Sequence, residues 1–532
     1  MINALPRILA ATLCFLTVAL AAVPSLAQRA PRPGFVGVDG TRMTLNGGDF
    51  YFAGANSYSL LYSERDAEEE FTVAKSLGLN AIRMWGFWNG DDPQPVRDAQ
   101  GRVIQEPVPG TDRWGRHVLQ PSPGMFNEEG FLKFDYAIYL ANAHGMKLII
   151  PLLNEWSEFG GLDQLLRWAG VEFPPLPEGH YARETVIKDL RGLFFTNERA
   201  QQIYLDYVTY VLNRVNTYTG VAYKDDPAIM IWEVMNEPRF GPWLGDESAE
   251  QVRNFLERGA KHIKSIDQNH LVATGEEGFF FLEETDTGRV SYPWYAATGE
   301  GTSFIMNSSI PEIDVLTIHG WPFQWSLIGE YPDLSTFMPE WIAEHARVAE
   351  ELGKPLYMGE FGFQILRRPG TGSDVPDRDR IYEKTFEAAK EHNLAGTMYW
   401  NITGSHNPEE AVYRGPIDRF SLQQGVFNDD VVPHDLDFRF DVYCPEDVTT
   451  CSLIEDYARY TVARVENPDA PYERSCLEPW ASCGGECVLT ASHPLHCGAC
   501  GVVCDDAEVC QAGKCTAVAA ADGASTDHYE TV

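Results

Sequence analysis

Residues 228–238 read AIMIWEVMNEP, a short apolar run that ends in Asn236, Glu237 and Pro238. A second run of the same kind, PLYMGEFGF at 355–363, carries Glu360. An unpaired carboxylate costs several kcal/mol to bury. Two buried strands that each end in a glutamate therefore indicate two acids that face one shared cleft.

Around these runs, residues 34–403 alternate short apolar segments with longer helical segments, which is the pattern of a parallel α/β fold. Strands are predicted at 50–54, 80–85, 147–153, 228–235, 271–275, 314–319, 355–360 and 396–400. Helices are predicted at 64–78, 130–144, 198–216, 248–267, 339–352 and 377–392, the first of them capped by Ser63 and Asp66. Eight such repeats predict a (β/α)8 TIM barrel, with a small disulfide-rich module at its C-terminal side.

The first 27 residues have the pattern of a secretory signal peptide. Arg7 gives a positive start, a mostly apolar stretch follows from Ile8 to Val23, and Ser25-Leu26-Ala27 is a small-residue cleavage site. The apolar stretch is short for a membrane span, and no later run reaches about 18 apolar residues. The sequence therefore predicts a secreted, extracellular protein without membrane insertion.

Cysteine is concentrated near the C-terminus. Ten of the 11 cysteines lie between Cys444 and Cys515. In an exported chain such an even cluster implies disulfides, and Cys444 is expected to pair with Cys451. A zinc site that includes Cys497 and Cys500 is the less favoured alternative. The predicted organisation is a signal peptide at 1–27, a barrel domain at 28–467, a disulfide-rich module at 468–515 and a disordered tail at 516–532.

The charge balance limits the class of substrate. Lysine and arginine total 41 against 77 aspartates and glutamates, a net charge of −36. Such a surface repels phosphate backbones, so nucleic acid is not an expected partner, and polyanionic substrates are disfavoured for the same reason. The balance suits an exported protein that acts on an uncharged substrate. We expect a monomer and neither a cofactor nor a metal ion.

Paired carboxylates at the C-terminal rim of a barrel suit the cleavage of glycosidic bonds. One protonated carboxyl donates to the leaving oxygen, and one carboxylate acts from the opposite side of the anomeric carbon. Glu237 and Glu360 follow the fourth and seventh predicted strands, so they are the candidate pair. Arg83, at the end of another strand, can hold a carboxylate in its ionised form. The alternative is that each glutamate forms only a structural salt bridge.

Further polar and aromatic residues are predicted at the same rim. Asn236 can hydrogen-bond a sugar hydroxyl, and His319 ends the sixth predicted strand. Tryptophans at or just beyond strand ends offer flat faces on which pyranose rings stack. The remaining predicted substrate-binding residues are Trp85, Asn154, Trp156, Trp321 and Trp400.

At these residues the chain resembles glycoside hydrolase family 5, and within it the endo-β-1,4-mannanases, over roughly residues 34–403. Asn236-Glu237-Pro238 is similar to the family's acid/base motif and Glu360 to its nucleophile, while Arg83, His319 and Trp400 match other active-site positions. The mannanase likeness is carried by RMWGFWN (83–89), LQPSPGMFNEEG (119–130), NEWSEFGGLDQLLRWAG (154–170), FFTNERAQQIY (194–204) and TGVAYKDDPAIMIWEVMNEPR (219–239).

The resemblance implies a retaining endo-β-1,4-mannanase that acts on mannan, glucomannan or galactomannan. One position departs from the family, which commonly has a tyrosine two residues after the histidine of the sixth strand, where this chain has Trp321. That tyrosine normally bonds the nucleophile, so the departure leaves the partner of Glu360 open. The alternatives are an endo-β-1,4-glucanase of the same fold and a non-catalytic glycan-binding barrel.

Overall fold

The computed structural model describes residues 31–90, 96–97, 100, 102–105, 118–174, 187, 190–240, 246–280, 301–325, 333–367, 375–402, 437–444, 447–466, 481–483, 486–488, 497–504, 508–511 and 513–517. The predicted signal peptide at 1–27 and the predicted boundary at 467–468 lie outside these residues, as does most of the predicted tail at 516–532.

Eight parallel strands form the centre of the fold. They are β1 (Phe52–Ser57), β2 (Ala81–Met84), β3 (Lys147–Pro151), β4 (Ile229–Glu233), β5 (Leu271–Ala273), β6 (Leu316–Gly320), β7 (Leu356–Phe361) and β8 (Gly396–Tyr399). Consecutive strands pair from β1 to β5 and from β6 to β8, and β8 also pairs with β1. The N–H groups of Asp314 and Val315 bind Val272 O, which links β6 to β5. The predicted (β/α)8 barrel is thereby confirmed.

All eight predicted strands are present, and only the first is clearly displaced. It runs over 52–57 instead of 50–54. The reason is that the Phe50 N–H binds Met43 O, so this residue belongs to the preceding antiparallel segment and not to the barrel.

A helix follows each strand. The helices are α1 (Glu64–Ser76), α2 (Glu128–His144), α3 (Glu198–Asn213), α4 (Asp246–Ile266), α5 (Phe304–Ser308), α6 (Phe337–Leu352), α7 (Val375–Glu391) and α8 (Val448–Glu466). Ser63 caps α1 as predicted, because its Oγ accepts the Asp66 N–H at 3.1 Å. The connections hold a further helix and three 3-10 turns, at Leu162–Trp168, Gly192–Thr196, Tyr223–Asp225 and Leu334–Thr336.

An antiparallel sheet precedes β1, and the prediction had not included it. Its strands are Val36–Asp39, Arg42–Leu45 and Gly48–Asp49. Asn46 and Gly47 in its second turn both have positive φ, 53° and 86°, which a tight hairpin turn requires. Val36 and Met43 of this sheet pack with residues at the start of the barrel strands. The sheet therefore covers the N-terminal end of the barrel, opposite the predicted site.

Two short antiparallel strand pairs lie in the connections of the barrel. Val96–Arg97 pairs with Val103–Gln105, and Ile365–Arg367 pairs with Asp437–Arg439.

The disulfide prediction is confirmed. Cys444 and Cys451 are bonded beside the start of α8, and Cys504 is bonded to Cys515. Cys497 and Cys500 are also disulfide-bonded, so the zinc alternative is wrong for them. Beyond α8, the described residues pair Ala481–Cys483 with Glu486–Val488 and Glu508–Gln511 with Lys514–Ala517.

The last of these strands extends two residues into the segment 516–532, which was predicted to be disordered. The predicted start of the disordered tail at residue 516 is therefore wrong. Thr516 pairs with Val509 and Ala517 pairs with Glu508, next to the disulfide of Cys515. Within the described part of the chain, we find no helix with the length and apolar character that a membrane crossing requires.

Candidate active site

The two candidate acids meet at the C-terminal rim of the barrel. Glu237 follows β4, and its backbone has a φ of 52°, in the left-handed region that costs a non-glycine residue about 1–3 kcal/mol. Neighbouring strands hold this turn, since the Asn236 N–H binds Leu153 O and the Glu237 N–H binds Gly275 O. Glu360 lies within β7. Both glutamates are buried.

Glu360 accepts hydrogen bonds on both carboxylate oxygens. Arg83 Nη1 donates to Oε1 at 2.5 Å, and Trp321 Nε1 donates to Oε2 at 3.3 Å. His319 Nδ1 lies 3.7 Å from the same Oε2. At the position where the family commonly has tyrosine, the indole N–H of this chain therefore contacts the candidate nucleophile.

Glu237 is bound from two other directions. Trp156 Nε1 donates to its Oε2 at 2.6 Å, and His319 Nδ1 lies 2.7 Å from its Oε1. The Trp156 ring has the guanidinium of Arg191 at 5.4 Å and that of Arg239 at 5.0 Å from its centre. Trp156 was predicted to bind substrate, and the structure places its N–H on the candidate acid.

The pKa values of the two acids shift in opposite directions. Burial raises the pKa of Glu237, but the hydrogen bond and the charge of His319 outweigh it and lower that pKa below its ordinary value. Burial also raises the pKa of Glu360, and the charge of Glu237 adds to this, so that the pKa stays raised although His319 and Arg83 oppose the shift. Arg83 is a permanent cation, whereas the charge on His319 depends on its protonation.

Asn154 and Asn236 form a chain of amide contacts beneath the acids. Asn236 Oδ1 accepts from Arg83 Nη2 at 2.7 Å, and Asn236 Nδ2 donates to Asn154 Oδ1 at 2.9 Å. Asn154 Nδ2 donates to Glu158 O at 3.2 Å. Both amides are buried, so Asn154 orients Asn236 toward the site.

The other predicted tryptophans line one side of the same site. Trp400, half-buried, lies 6.2 Å from Trp321 and 5.8 Å from Trp85, and it stacks with Tyr58 at 6.0 Å, all measured between ring centres. Trp85 is buried against the Arg83 guanidinium at 5.4 Å. The peptide bond between Trp400 and Asn401 is cis. All ten predicted site residues are thus joined in one connected cluster.

The sequence prediction missed several residues of this cluster. Glu233 and Tyr357 lie below Arg83, and Asn56 contacts both Arg83 and Gly359 O. One signal was available, because Glu233 is a charged residue inside the apolar run 228–235 and therefore required a buried partner.

The described residues offer two groups whose atoms could contact a metal ion. In the first, atoms of Glu237, His319 and Glu360 all lie within 4.8 Å of one another. The contact of 2.7 Å between His319 and Glu237 is a hydrogen bond, and it occupies the atoms that a metal would need. The second group consists of cysteines in disulfides, which cannot act as thiolate ligands. We therefore derive no step through a metal ion.

Comparison with known proteins places the chain in a family. The profile described as GH family 5 beta-mannosidase-like matches residues 33–467, and that of the Stigma-specific STIG1-like protein family matches residues 463–518. Mannan endo-1,4-beta-mannosidase 7 of Arabidopsis thaliana is 32% identical over 387 residues, which cover 70% of this chain and 78% of that protein. Mannan endo-1,4-beta-mannosidase 4 of Solanum lycopersicum is 34% identical over 383 residues, which cover 70% and 84%.

Solved structures agree with this assignment. The endo-1,4-beta-D-mannanase from Thermotoga petrophila superposes with a TM-score of 0.57 at 27% identity and covers 77% of this chain and 100% of that one. The endo-1,4-beta-mannanase from Rhizomucor miehei superposes with a TM-score of 0.58 at 26% identity and covers 81% and 99%. On the match over residues 33–467 and the relatives at 32% and 34% identity, the chain belongs to the beta-mannosidase-like branch of glycoside hydrolase family 5 and is a glycoside hydrolase.

Proposed function

We propose that the protein is a retaining endo-β-1,4-mannanase, which hydrolyses β-1,4-mannosidic bonds in mannan, glucomannan or galactomannan by double displacement. The substrate class is supported by the relatives from Arabidopsis and tomato, which are named mannan endo-1,4-beta-mannosidases. The observation that carries the mechanism is the short distance between the acids, because carboxylate oxygens of Glu237 and Glu360 lie within 4.8 Å of each other. Retaining enzymes hold their two carboxyl groups about 5–5.5 Å apart, whereas inverting enzymes need about 6.5–9.5 Å for a water molecule.

In the first step, a carboxylate oxygen of Glu360 attacks the anomeric carbon of a mannosyl unit. Glu237 donates its proton to the glycosidic oxygen as the bond to that oxygen breaks, and a mannosyl ester of Glu360 forms. Burial favours the protonated form of Glu237 and is opposed by the hydrogen bond and charge of His319, whereas Arg83 favours the ionised form of Glu360 against burial. The proposed roles require that the proton resides on Glu237 when the glycosidic bond breaks.

In the second step, Glu237 acts as a base. Water gives a proton to the Glu237 carboxylate and attacks the anomeric carbon, which releases Glu360 as a carboxylate and restores the original configuration. Trp156 and His319 hold the two oxygens of Glu237 and so keep it aimed at the same position in both steps. The ring of Trp400 offers a face on which the reacting mannosyl unit can stack.

The roles of the two acids are tested by comparing Glu360→Ala with Glu237→Ala on aryl β-mannosides. Glu360→Ala should be inactive on every substrate. Glu237→Ala should keep more activity where the leaving group is good, because its departure needs no proton, and azide should partly restore turnover by replacing water. Glu344→Ala is the matched control, since Glu344 is a buried glutamate bonded to Arg347 in α6. Equal responses of the two active-site variants to leaving group and azide would contradict the assignment.

Substrate class and stereochemistry need separate measurements. Reducing-sugar release should be highest on mannan, glucomannan and galactomannan and much lower on xylan and carboxymethyl cellulose. A preference for carboxymethyl cellulose would favour the endo-glucanase alternative, and no hydrolysis at all would favour a glycan-binding barrel. An NMR time course should show the β-anomer as the first product, and an initial α-anomer would exclude double displacement.

We also propose that the protein is secreted. Residues 1–27 have the signal-peptide pattern, and disulfides such as Cys444–Cys451 persist in oxidising compartments. N-terminal sequencing of the exported protein should begin just after Ala27. A mature protein that starts at Met1 would contradict this.

A further inference from the structure

Arg83 is 1% exposed, and its five N–H groups all have acceptors. Nε lies 2.9 and 3.1 Å from the Glu233 oxygens, and Nη2 lies 2.6 Å from Glu233 Oε2 and 2.7 Å from Asn236 Oδ1. Nη1 lies 3.0 Å from Asn56 Oδ1 and 2.5 Å from Glu360 Oε1. A guanidinium whose donors are all engaged is fixed in one orientation. Three of these six contacts go to Glu233, and the shortest goes to the candidate nucleophile Glu360.

Glu233 is itself 0% exposed and lies on β4 below the cleft. Besides Arg83, it accepts the hydroxyl of Tyr357 at 2.5 Å. Its two oxygens are thus held by a bidentate arginine and by a hydroxyl donor. The reaction derived above does not use Glu233, so this third carboxylate needs a separate explanation.

We propose that Glu233 is a positioning residue that divides the charge of Arg83 between two carboxylates and thereby keeps Glu360 basic enough to attack the sugar. The inference rests on the proposed function. With Glu233 and Glu360 both ionised, the group formed with Arg83 carries a net charge of −1. Without Glu233, a single arginine would neutralise Glu360 in a closed ion pair. Such a carboxylate is more easily ionised but less nucleophilic.

Within the described part of the chain, the charged and titratable groups that face these residues come from the barrel strands and their ends. Glu360 is faced by Arg83 from β2, by Glu237 from the end of β4 and by His319 from β6. Glu233 is faced by Arg83 and by Tyr357 from β7. Because Arg83 is shared by both carboxylates, removing the charge of Glu233 must change the field at Glu360.

The test is the pH dependence of kcat/KM for Glu233→Gln on an aryl β-mannoside and on soluble mannan. Its acidic limb reports the ionisation of the nucleophile in the free enzyme. We expect this limb to move to lower pH by about 1–2 units, since one charge next to Glu360 becomes uncompensated. At the pH optimum we expect kcat to fall at least about tenfold, because the nucleophile is less basic. Glu233→Asp keeps the charge but sets its carboxylate one methylene further from Arg83, so its limb should lie between those of wild type and Glu233→Gln.

The chain provides a matched control for the loss of a buried ion pair. Asp135 is 0% exposed, binds Arg214 at 2.7 and 3.0 Å and accepts the hydroxyl of Tyr223 at 2.6 Å. Arg214 also contacts a second carboxylate, that of Glu128. Asp135→Asn therefore removes an equivalent charge away from the candidate site. It should lower stability but leave the acidic limb where it is in the wild type.

Each outcome has a defined meaning. An acidic limb that is unchanged in a folded Glu233→Gln, or that moves equally in Asp135→Asn, overturns the inference. If Glu233→Gln does not fold, the same decision rests on Glu233→Asp, whose limb must still move to lower pH. If wild type hydrolyses neither mannan nor aryl mannosides, the proposed function has failed. If wild type is active but the Glu233 variants leave the acidic limb in place, only the inference about Glu233 has failed.

Discussion

Replacement of Glu70 by glutamine is expected to flatten the dependence of stability on pH. Glu70 lies on α1, is 3% exposed, and its carboxyl group accepts the hydroxyls of Ser57 and Ser59. Burial raises the pKa of Glu70 from 4.5 to about 8, against the two serine hydroxyls and with a contribution from Asp66 and Asp441. At neutral pH the side chain is therefore mostly protonated in the folded protein.

The size of the effect follows from the two pKa values. A group whose pKa is raised on folding stabilises the protein fully below its unfolded pKa and loses this contribution as pH rises through the folded pKa. The difference between 8 and 4.5 is 3.5 pH units, which corresponds to about 5 kcal/mol at about 1.36 kcal/mol per unit. Between pH 5 and pH 9, wild type should lose about 3–5 kcal/mol more than Glu70→Gln, which has no proton to release.

Urea denaturation at pH 5, 7 and 9 measures this difference directly. Glutamine keeps the shape and can still bond both serines, so Glu70→Gln should fold. Phe71→Leu is the control, because it changes a neighbouring buried residue of α1 without removing a titratable group. It should lower the free energy of unfolding by the same amount at each pH. If wild type and Glu70→Gln lose stability in parallel from pH 5 to pH 9, Glu70 is not the proton-linked group and the reasoning fails.

Three further predictions concern the site and its limits. Trp321→Phe removes the N–H that Glu360 accepts at 3.3 Å, so it should lower kcat about tenfold. Trp321→Tyr keeps a hydrogen-bond donor and should retain more activity. Equal losses of kcat in the two variants would argue against a role for this contact. Gly359→Ala places a Cβ 2.6 Å from Thr317 Oγ1 and 3.0 Å from His319 Nε2, so both kcat on soluble mannan and the melting temperature should fall. Wild-type activity would show that these two buried side chains can move freely. A chain that ends at Asn467 should hydrolyse soluble mannan as the full chain does, and a folded but inactive truncation would assign part of the site to the C-terminal module.

Most of the barrel was predictable from the local sequence pattern. Every barrel strand is a short apolar run, and such runs can be recognised in the sequence before their partner strands are known. The positions of Glu237 and Glu360 followed from the same pattern, because each is a charged residue at the end of such a run. The antiparallel sheet before β1 was missed, although Asn46-Gly47 is a strong local signal for a hairpin.

The amino-acid sequence alone was enough for the order of the strands, the disulfide between Cys444 and Cys451, and the two acids at one rim. It left Arg83 with two possible roles, as a structural ion pair or as a partner of a catalytic acid. The folded barrel shows that Arg83 has both partners, Glu233 and Glu360, which lie 150 and 277 residues away along the chain. Likewise, the indole of Trp321 reaches Glu360 because β6 and β7 pair in a register that sets His319 opposite Glu360. Such contacts depend on how distant strands align when the barrel closes, and no local pattern encodes that alignment.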